Sequence, residues 1–375
     1  MLKIAIVGLP NVGKSTLFNA LTNSEVLAAN YPFATIEPNT GIVPVPDPRL
    51  TKLCEIYGAS KIVPATVEFV DVAGLVAGAS KGEGLGNKFL ANIRECDAIC
   101  HVVRAFYNDS IQRADGTTTV DPQGDIEVIN TELALADGAT IEKHLPKLQK
   151  EAKAKANPKL KAKVAFLESV YNQLMQGKTP AEFKQTPTED LAAQLDGLNL
   201  LSALPVIYLF NVDEATLTDS AAQAKLIAAA VAATGVDTSD IQAVFVSAEL
   251  ESEIRSLSPE EAKELLSDYG VSDSGLNQLI RAAYRTLGLQ SYLTAGPKEV
   301  HAWTIHQGWT APQAAGVIHT DFEKGFIAAQ IVSYPDLVAA GSEANARAAG
   351  KLRTEGKTYI MQPDDIVEFR FNVSK

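Results

Sequence analysis

Nothing constrains this chain more than the run Gly8-Leu-Pro-Asn-Val-Gly-Lys-Ser-Thr16. An apolar run suited to a buried strand, Leu2 to Val7, precedes it, and a helix-like run, Lys14 to Leu21, follows. The spacing Gly-x4-Gly-Lys-Ser/Thr between a strand and a helix is that of a phosphate-binding loop. Its glycines let the main chain wrap an anion, so that successive amide N–H groups converge on phosphate oxygens. Lys14 is placed to reach the terminal phosphates, and the Ser15 hydroxyl suits Mg2+. Two glycines alone would mark an ordinary strand-turn-helix. Four spaced residues with the correct flanks make it a nucleotide-phosphate site in an α/β fold.

Two later stretches complete a nucleotide switch. Tyr31-Pro-Phe-Ala-Thr35-Ile-Glu-Pro38 reads as a loop, and a threonine there suits closure on Mg2+ and the γ-phosphate. A β-rich run, Ala65 to Val70, leads into Asp71-Val-Ala-Gly74. Asp71 is expected to hold Mg2+ through a water, and the Gly74 amide to meet the γ-phosphate. Lys14, Thr35 and Gly74 are therefore the expected catalytic set, with Ser15, Thr35 and Asp71 around the metal. Leu75 stands where many related hydrolases place a glutamine, and leucine cannot hydrogen-bond the attacking water. The glycine-studded Gly78 to Gly86 stretch is expected to be mobile.

Past a helix over about Glu83 to Glu95, a strand over Ala98 to Val103 and a polar loop over Asn108 to Pro122, the periodicity changes. Ile126, Ile129, Leu133 and Ala136 recur at helical spacing; the seam slips and resumes at Ile141, Leu145, Leu148 and Ala152. Beyond Asn157-Pro158, a second arm carries Leu160, Val164, Leu167, Tyr171 and Leu174. The pattern predicts an antiparallel helical hairpin between 125 and 203. Eight lysines lie near its tip (Lys143, Lys147, Lys150, Lys153, Lys155, Lys159, Lys161, Lys163), against Glu142 and Glu151. Such a projection suits an RNA backbone, or is simply a solvated helix surface.

A strand over Leu204 to Phe210 ends in Asn211-Val-Asp-Glu214. GTP-binding proteins place Asn-Lys-x-Asp there, and the final aspartate accepts two bonds from guanine. Here valine replaces the lysine and glutamate the aspartate. Guanine reading depends on that bidentate geometry, so ATP is the better substrate. Ala243 to Val246 ends in Ser247-Ala-Glu249, which suits a base-supporting loop, and amphipathic helices over Pro259 to Gly288 close the unit.

From about Tyr292 the character differs. Val367, Phe369 and Phe371 alternate with Glu368 and Arg370, as in a half-buried strand. Pro363-Asp364-Asp365 is expected to turn a hairpin between that strand and Thr358 to Met361. The stretch His319 to Ile327 is read as a fold determinant more than as a recognition surface. A small α+β module results.

At 375 residues, two or three domains are expected. A net charge of −12 argues against wholesale coating of nucleic acid. Three cysteines without a CxxC pair suit a reduced, cytoplasmic setting. The chain opens directly on a strand, and no apolar run approaches the roughly 20 residues of a membrane span, so no membrane partner is expected.

Asn11-Val-Gly-Lys-Ser-Thr16, Asp71-Val-Ala-Gly-Leu75, Asn211-Val-Asp-Glu214 and the C-terminal module together resemble the YchF-type, or Obg-like, ATPases of the translation-factor-related P-loop class. The likeness runs essentially end to end. Ala302-Trp-Thr-Ile305 and His319 to Phe326 look like a TGS domain, a β-grasp-like module. The resemblance implies a P-loop NTPase unit over 1–124 and 204–290, the inserted hairpin over 125–203, and a TGS domain over 291–375. It implies that Asn11, Val12, Gly13, Lys14, Ser15 and Thr16 bind phosphates. Asn211 and the Val212 backbone, with Glu214, Ser247 and Ala248 about them, would then read adenine. It also implies association with ribosomes. Relatives often carry a histidine after the Asn-Asp pair, proposed to help hydrolysis; here Arg113 stands there, and it cannot serve as a general base. Two rival readings stay open: a GTPase with a degenerate base reader, and a scaffold in which nucleotide only orders the loops.

Overall fold

A computed structural model of the chain describes residues 2–22, 39–72, 85–113, 116–155, 157–178 and 197–372. Two six-stranded sheets organise it. The first comprises β1 (Lys3–Val7), β2 (Thr40–Pro44), β4 (Thr66–Asp71), β5 (Ala98–Arg104), β6 (Val206–Asn211) and β7 (Gln242–Val246). They lie in the order β2-β4-β1-β5-β6-β7, with only β2 antiparallel to its neighbour. Every residue of β5 is buried, as a central parallel strand covered on both faces requires. Cys100 and Val102 face one core with helix Gly275–Thr286; Ile99 faces another with Phe89, Ile93 and Leu133. Cys96 and Cys100 are buried free thiols, pushed up to about 12 by burial, and so act as small apolar residues.

The hairpin is present, as helices Pro122–Lys155 and Pro158–Met175, with Asn157 capping the second arm by accepting from the Lys159 amide. Its seam differs from the expected one. Ile129, Leu133 and Ala136 pack against the sheet, not against the second arm. From Ile141 onward the long helix meets Leu167, Val170 and Leu174 instead. The slip in the heptad pattern is thus the point where the helix changes partner. Buried Asp137, between the two stretches, accepts from the Leu201 and Ser202 amides at 2.9 and 2.8 Å.

The second sheet runs β11 (Arg353–Glu355), β10 (Phe326–Ser333), β12 (Asp365–Phe371), β8 (Leu289–Ala295), β9 (Val300–His306) and β3 (Ile62–Val63). A hairpin, β8–β9, a helix (Ala311–Ile318) and a β12 parallel to β8 give the expected β-grasp arrangement. Two expectations need correction. Residues 358–361 form no strand against β12, whose neighbours are β10 and β8. Instead, the Asp365 carboxylate ties that turn by accepting from the Gln362 amide and the Tyr359 hydroxyl. Moreover, Ile62–Val63, expected within the first unit, pairs with Val300 and His301 and adds the edge of the second sheet. In the 319–327 stretch, Phe322 stacks on Phe371 and Phe326 is buried, as fold determinants should be.

Candidate nucleotide site

Parallel sheets place ligands beyond the carboxyl ends of their strands. Here the ends of β1, β4, β5, β6 and β7 bring together the phosphate loop, Asp71, Arg104, Asn211 and Ser247. Both loop glycines are sterically required. A Cβ on Gly8 would lie 2.5 Å from the Val102 carbonyl oxygen. One on Gly13, which has φ +98°, would meet the Asn211 amide nitrogen at the same distance. Asn11 takes a left-handed φ of 64°, which asparagine tolerates better than most side chains. Ser15 and Thr16 are exposed in the first turn of helix Lys14–Thr22.

Lys14 is 8% exposed, and its Nζ donates to the Leu9 carbonyl at 2.6 Å. Burial lowers its pKa to about 8, opposed by the nearby Asp71 carboxylate. Asp71 is raised by burial and lowered in turn by Lys14. The two face the same space. Thr35, Gly74 and Leu75 lie outside the described residues.

The residues expected to read the base converge, with a division of labour that spacing did not reveal. Asn211 donates from Nδ2 to the Val12 carbonyl at 3.0 Å and accepts at Oδ1 from the Ala248 amide at 3.1 Å. Its side chain therefore staples the phosphate loop to the β7 loop. The Val212 amide is taken by Val246. Ser247 caps its helix by accepting from Leu250 and donates to Glu214 Oε1 at 2.6 Å. One oxygen of that carboxylate is therefore already engaged.

Sequence reading missed Arg104 as a site residue. Only 3% exposed, it donates from Nε, Nη1 and Nη2 to the carbonyls of Phe106, Ile111 and Asn108. It thereby moulds the loop that ends at Gln112, whose carbonyl accepts from Asn11 Nδ2 at 3.1 Å. Arg113, next in sequence, pairs with Asp125 at 2.7 Å.

An Mg2+ ion needs hard oxygen ligands. Among the described residues, the half-buried Asp71 carboxylate and the exposed Ser15 hydroxyl are oxygen donors of that kind.

The family model "50S ribosome-binding GTPase" matches residues 3–130, and YchF-GTPase_C, "Protein of unknown function (DUF933)", matches 289–372. A ribosome-binding ATPase YchF of Haemophilus ducreyi is 51% identical over 371 residues, covering 99% of each chain. The chain belongs to the YchF family. The Bacillus subtilis YchF is 48% identical over 376 residues, covering 99% of this chain and all of that one. The solved YchF GTPase of Schizosaccharomyces pombe superposes with a TM-score of 0.84 at 40% identity, covering 98% and 97% of the two chains. Obg-like ATPase 1 of Rattus norvegicus is 43% identical, covering 99% of this chain and 92% of its own. YchF relatives are thus described as ATPases and as a GTPase, so the choice of base falls to the residues around Asn211.

Proposed function

We propose that this protein is a slow, Mg2+-dependent ATPase that works as a nucleotide-controlled switch on the ribosome. The observation that carries the choice of ATP is Glu214. Guanine reading needs a short carboxylate with both oxygens available; here it is one methylene longer, and Ser247 holds one oxygen. The Val212 carbonyl and the Asn211 strand end are left to face an adenine.

Loop amides from Asn11 to Thr16 bind the phosphates, and Lys14 exchanges the Leu9 carbonyl for a terminal phosphate oxygen. Ser15, Thr35 and Asp71 hold the metal, which supplies charge neutralisation at the β- and γ-phosphates when bound. The Gly74 amide meets the γ-phosphate. Leu75 cannot orient water, and Arg113 is committed to Asp125 rather than directed at a phosphate. Slow turnover follows, on the order of 10⁻³ s⁻¹ without ribosomes. The basic tip and the C-terminal module supply the ribosome contact, and the site of action is the cytoplasm.

Side-by-side titration with ATP and GTP tests the assignment. ATP should bind at least about tenfold more tightly. GTP binding equally well or better would return the protein to the GTPases, as the description of the fission-yeast structure suggests. Adding ribosomes should raise turnover; a fast rate in their absence would contradict the switch.

A further inference from the structure

The peptide unit joining Gln112 and Arg113 is fixed from three sides. Its carbonyl accepts from Asn11 of the phosphate loop at 3.1 Å. Its N–H donates to the Thr117 carbonyl at 2.7 Å. Since the peptide is planar, neither bond can turn without the other. The Arg113 side chain then bolts the same unit to Asp125, which is 4% exposed and lies in the first turn of helix Pro122–Lys155. On the opposite flank, Arg104 holds Ile111 and Asn108 in place.

We propose that Arg113 is a positioning residue for the nucleotide site. Pinned to Asp125 at the root of the hairpin, it keeps the Gln112 carbonyl on Asn11. The inference rests on the nucleotide reading above and adds the ion pair that holds the phosphate loop's neighbour in place. The root itself is held in place: Ile126, next to Asp125, is fully buried with Val103, Tyr208 and Phe210. With the ion pair cut, Asn11 would lose its side-chain tie to Gln112 and with it the support of a left-handed backbone.

Two variants test the joint: Arg113→Gln, and Asp125→Asn, which keeps the shape of the buried side chain. Hydrogen exchange at residues 8–14 is read first, on nucleotide-free protein, so that it does not depend on which base binds. Both variants should speed exchange there. In ATP titrations both should raise Kd and KM about fivefold, the equivalent of one hydrogen bond, with kcat nearly unchanged. The exchanged pair, Arg113→Asp with Asp125→Arg, should restore both readouts. A purely structural pair would lower thermal stability but leave phosphate-loop exchange and ATP affinity alone, and that result overturns the proposal. An effect of Arg113→Gln that Asp125→Asn does not reproduce overturns it as well. If wild-type protein fails to bind ATP while both variants still loosen the loop, the joint stands and the ATP reading falls.

Discussion

The hairpin and the C-terminal module are fastened to the nucleotide-binding unit in opposite ways. The hairpin is inserted in the middle of that unit's sequence, yet only its root shares the unit's core. Beyond Asp137, its apolar residues Ile141, Leu167, Val170, Leu174 and Leu200 form a cluster of their own. The C-terminal module is merely appended, yet its core is continuous with the first unit: Leu50 and Leu53 belong to one cluster with Leu293, Val300, Leu337 and Ile366. Ile62–Val63 extends its sheet, Ser60 donates to the Lys298 carbonyl at 2.8 Å, and Arg49 donates to the Asp364 carboxylate at 3.0 Å. All of these contacts come from the segment between Thr35 and Asp71. The module therefore rides on the stretch that joins the two expected γ-phosphate sensors, while the hairpin projects as a lever. Order along the chain does not reveal which part is coupled to which.

Matched cavities in the two regions are the strongest way to break this contrast. Leu53→Ala removes a fully buried side chain from the shared core and should cost about 2–5 kcal/mol. Both tryptophans, Trp303 and Trp309, lie in the C-terminal module and report its unfolding. Their urea midpoint should fall although the mutation lies in the other unit. Leu167→Ala, equally buried but in the hairpin's own cluster, should leave that midpoint in place and speed hydrogen exchange only between 141 and 174. A tryptophan midpoint that responds to Leu167→Ala and ignores Leu53→Ala would reverse the comparison.

A buried carboxylate sharpens it through pH. Glu251 accepts from the Gly275 amide at 2.6 Å, at the start of helix Gly275–Thr286. Near the other end of that helix, the Tyr284 hydroxyl is hydrogen-bonded to Ser291 and Thr304 of the second sheet. Burial pushes Glu251 up to about 7 from an ordinary 4.5, against the pull of its amide partners. Folded protein thus keeps a proton there that the unfolded chain has lost. Its stabilising contribution is complete below pH 4.5 and disappears as pH rises through 7, a change of up to about 3 kcal/mol. Glu251→Gln should flatten that slope in the tryptophan-reported transition. The difference between the two proteins isolates Glu251, because buried His101, lowered to about 3, slopes the other way below 6.5. Identical slopes for both would mean that Glu251 does not change its protonation in the transition that the tryptophans report.

What could be read in advance follows the same division between local and distant. The phosphate loop was legible because its steric demands fall on residues a few positions apart. β1, β5 and β6 were legible because a doubly covered strand is close to continuously apolar, and β4 because its buried Val67 and Phe69 alternate with half-buried residues. The hairpin break at Asn157-Pro158 was legible because an asparagine cap and a proline are local devices. By contrast, helical spacing shows which face of 126–148 is buried but not what covers it, so the change of partner past Ala136 was hidden. Two residues of strand, Ile62–Val63, have no period to detect. Arg104 gives no signal, since all three of its hydrogen-bond partners are backbone carbonyls. Asn211 is expected to read the base; that its side chain also joins Val12 to Ala248, leaving a second Nδ2 N–H, is a contact between distant positions that spacing does not show.

The smallest expected effect on stability discriminates the two regions most directly by function. Lys150 and Lys153 are exposed near the hairpin tip, where nothing of the core depends on them. Changing both to Gln should alter unfolding free energy by less than about 0.5 kcal/mol. If the tip meets ribosomal RNA, each lysine displaces counterions, and losing two should make the log Kd against log salt plot for ribosomes shallower by about 1.5. Lys324 and Lys357, exposed on the C-terminal module, provide the control pair. A module held rigidly against the nucleotide unit can present a shape-complementary surface, whereas a lever in a protein of net charge −12 depends on its local positive field to find an anionic partner. The tip pair should therefore change the salt slope more than the control pair. An equal change from both pairs would make ribosome binding a property of the whole surface, and no change from the tip pair would leave its lysines as a solvated helix face.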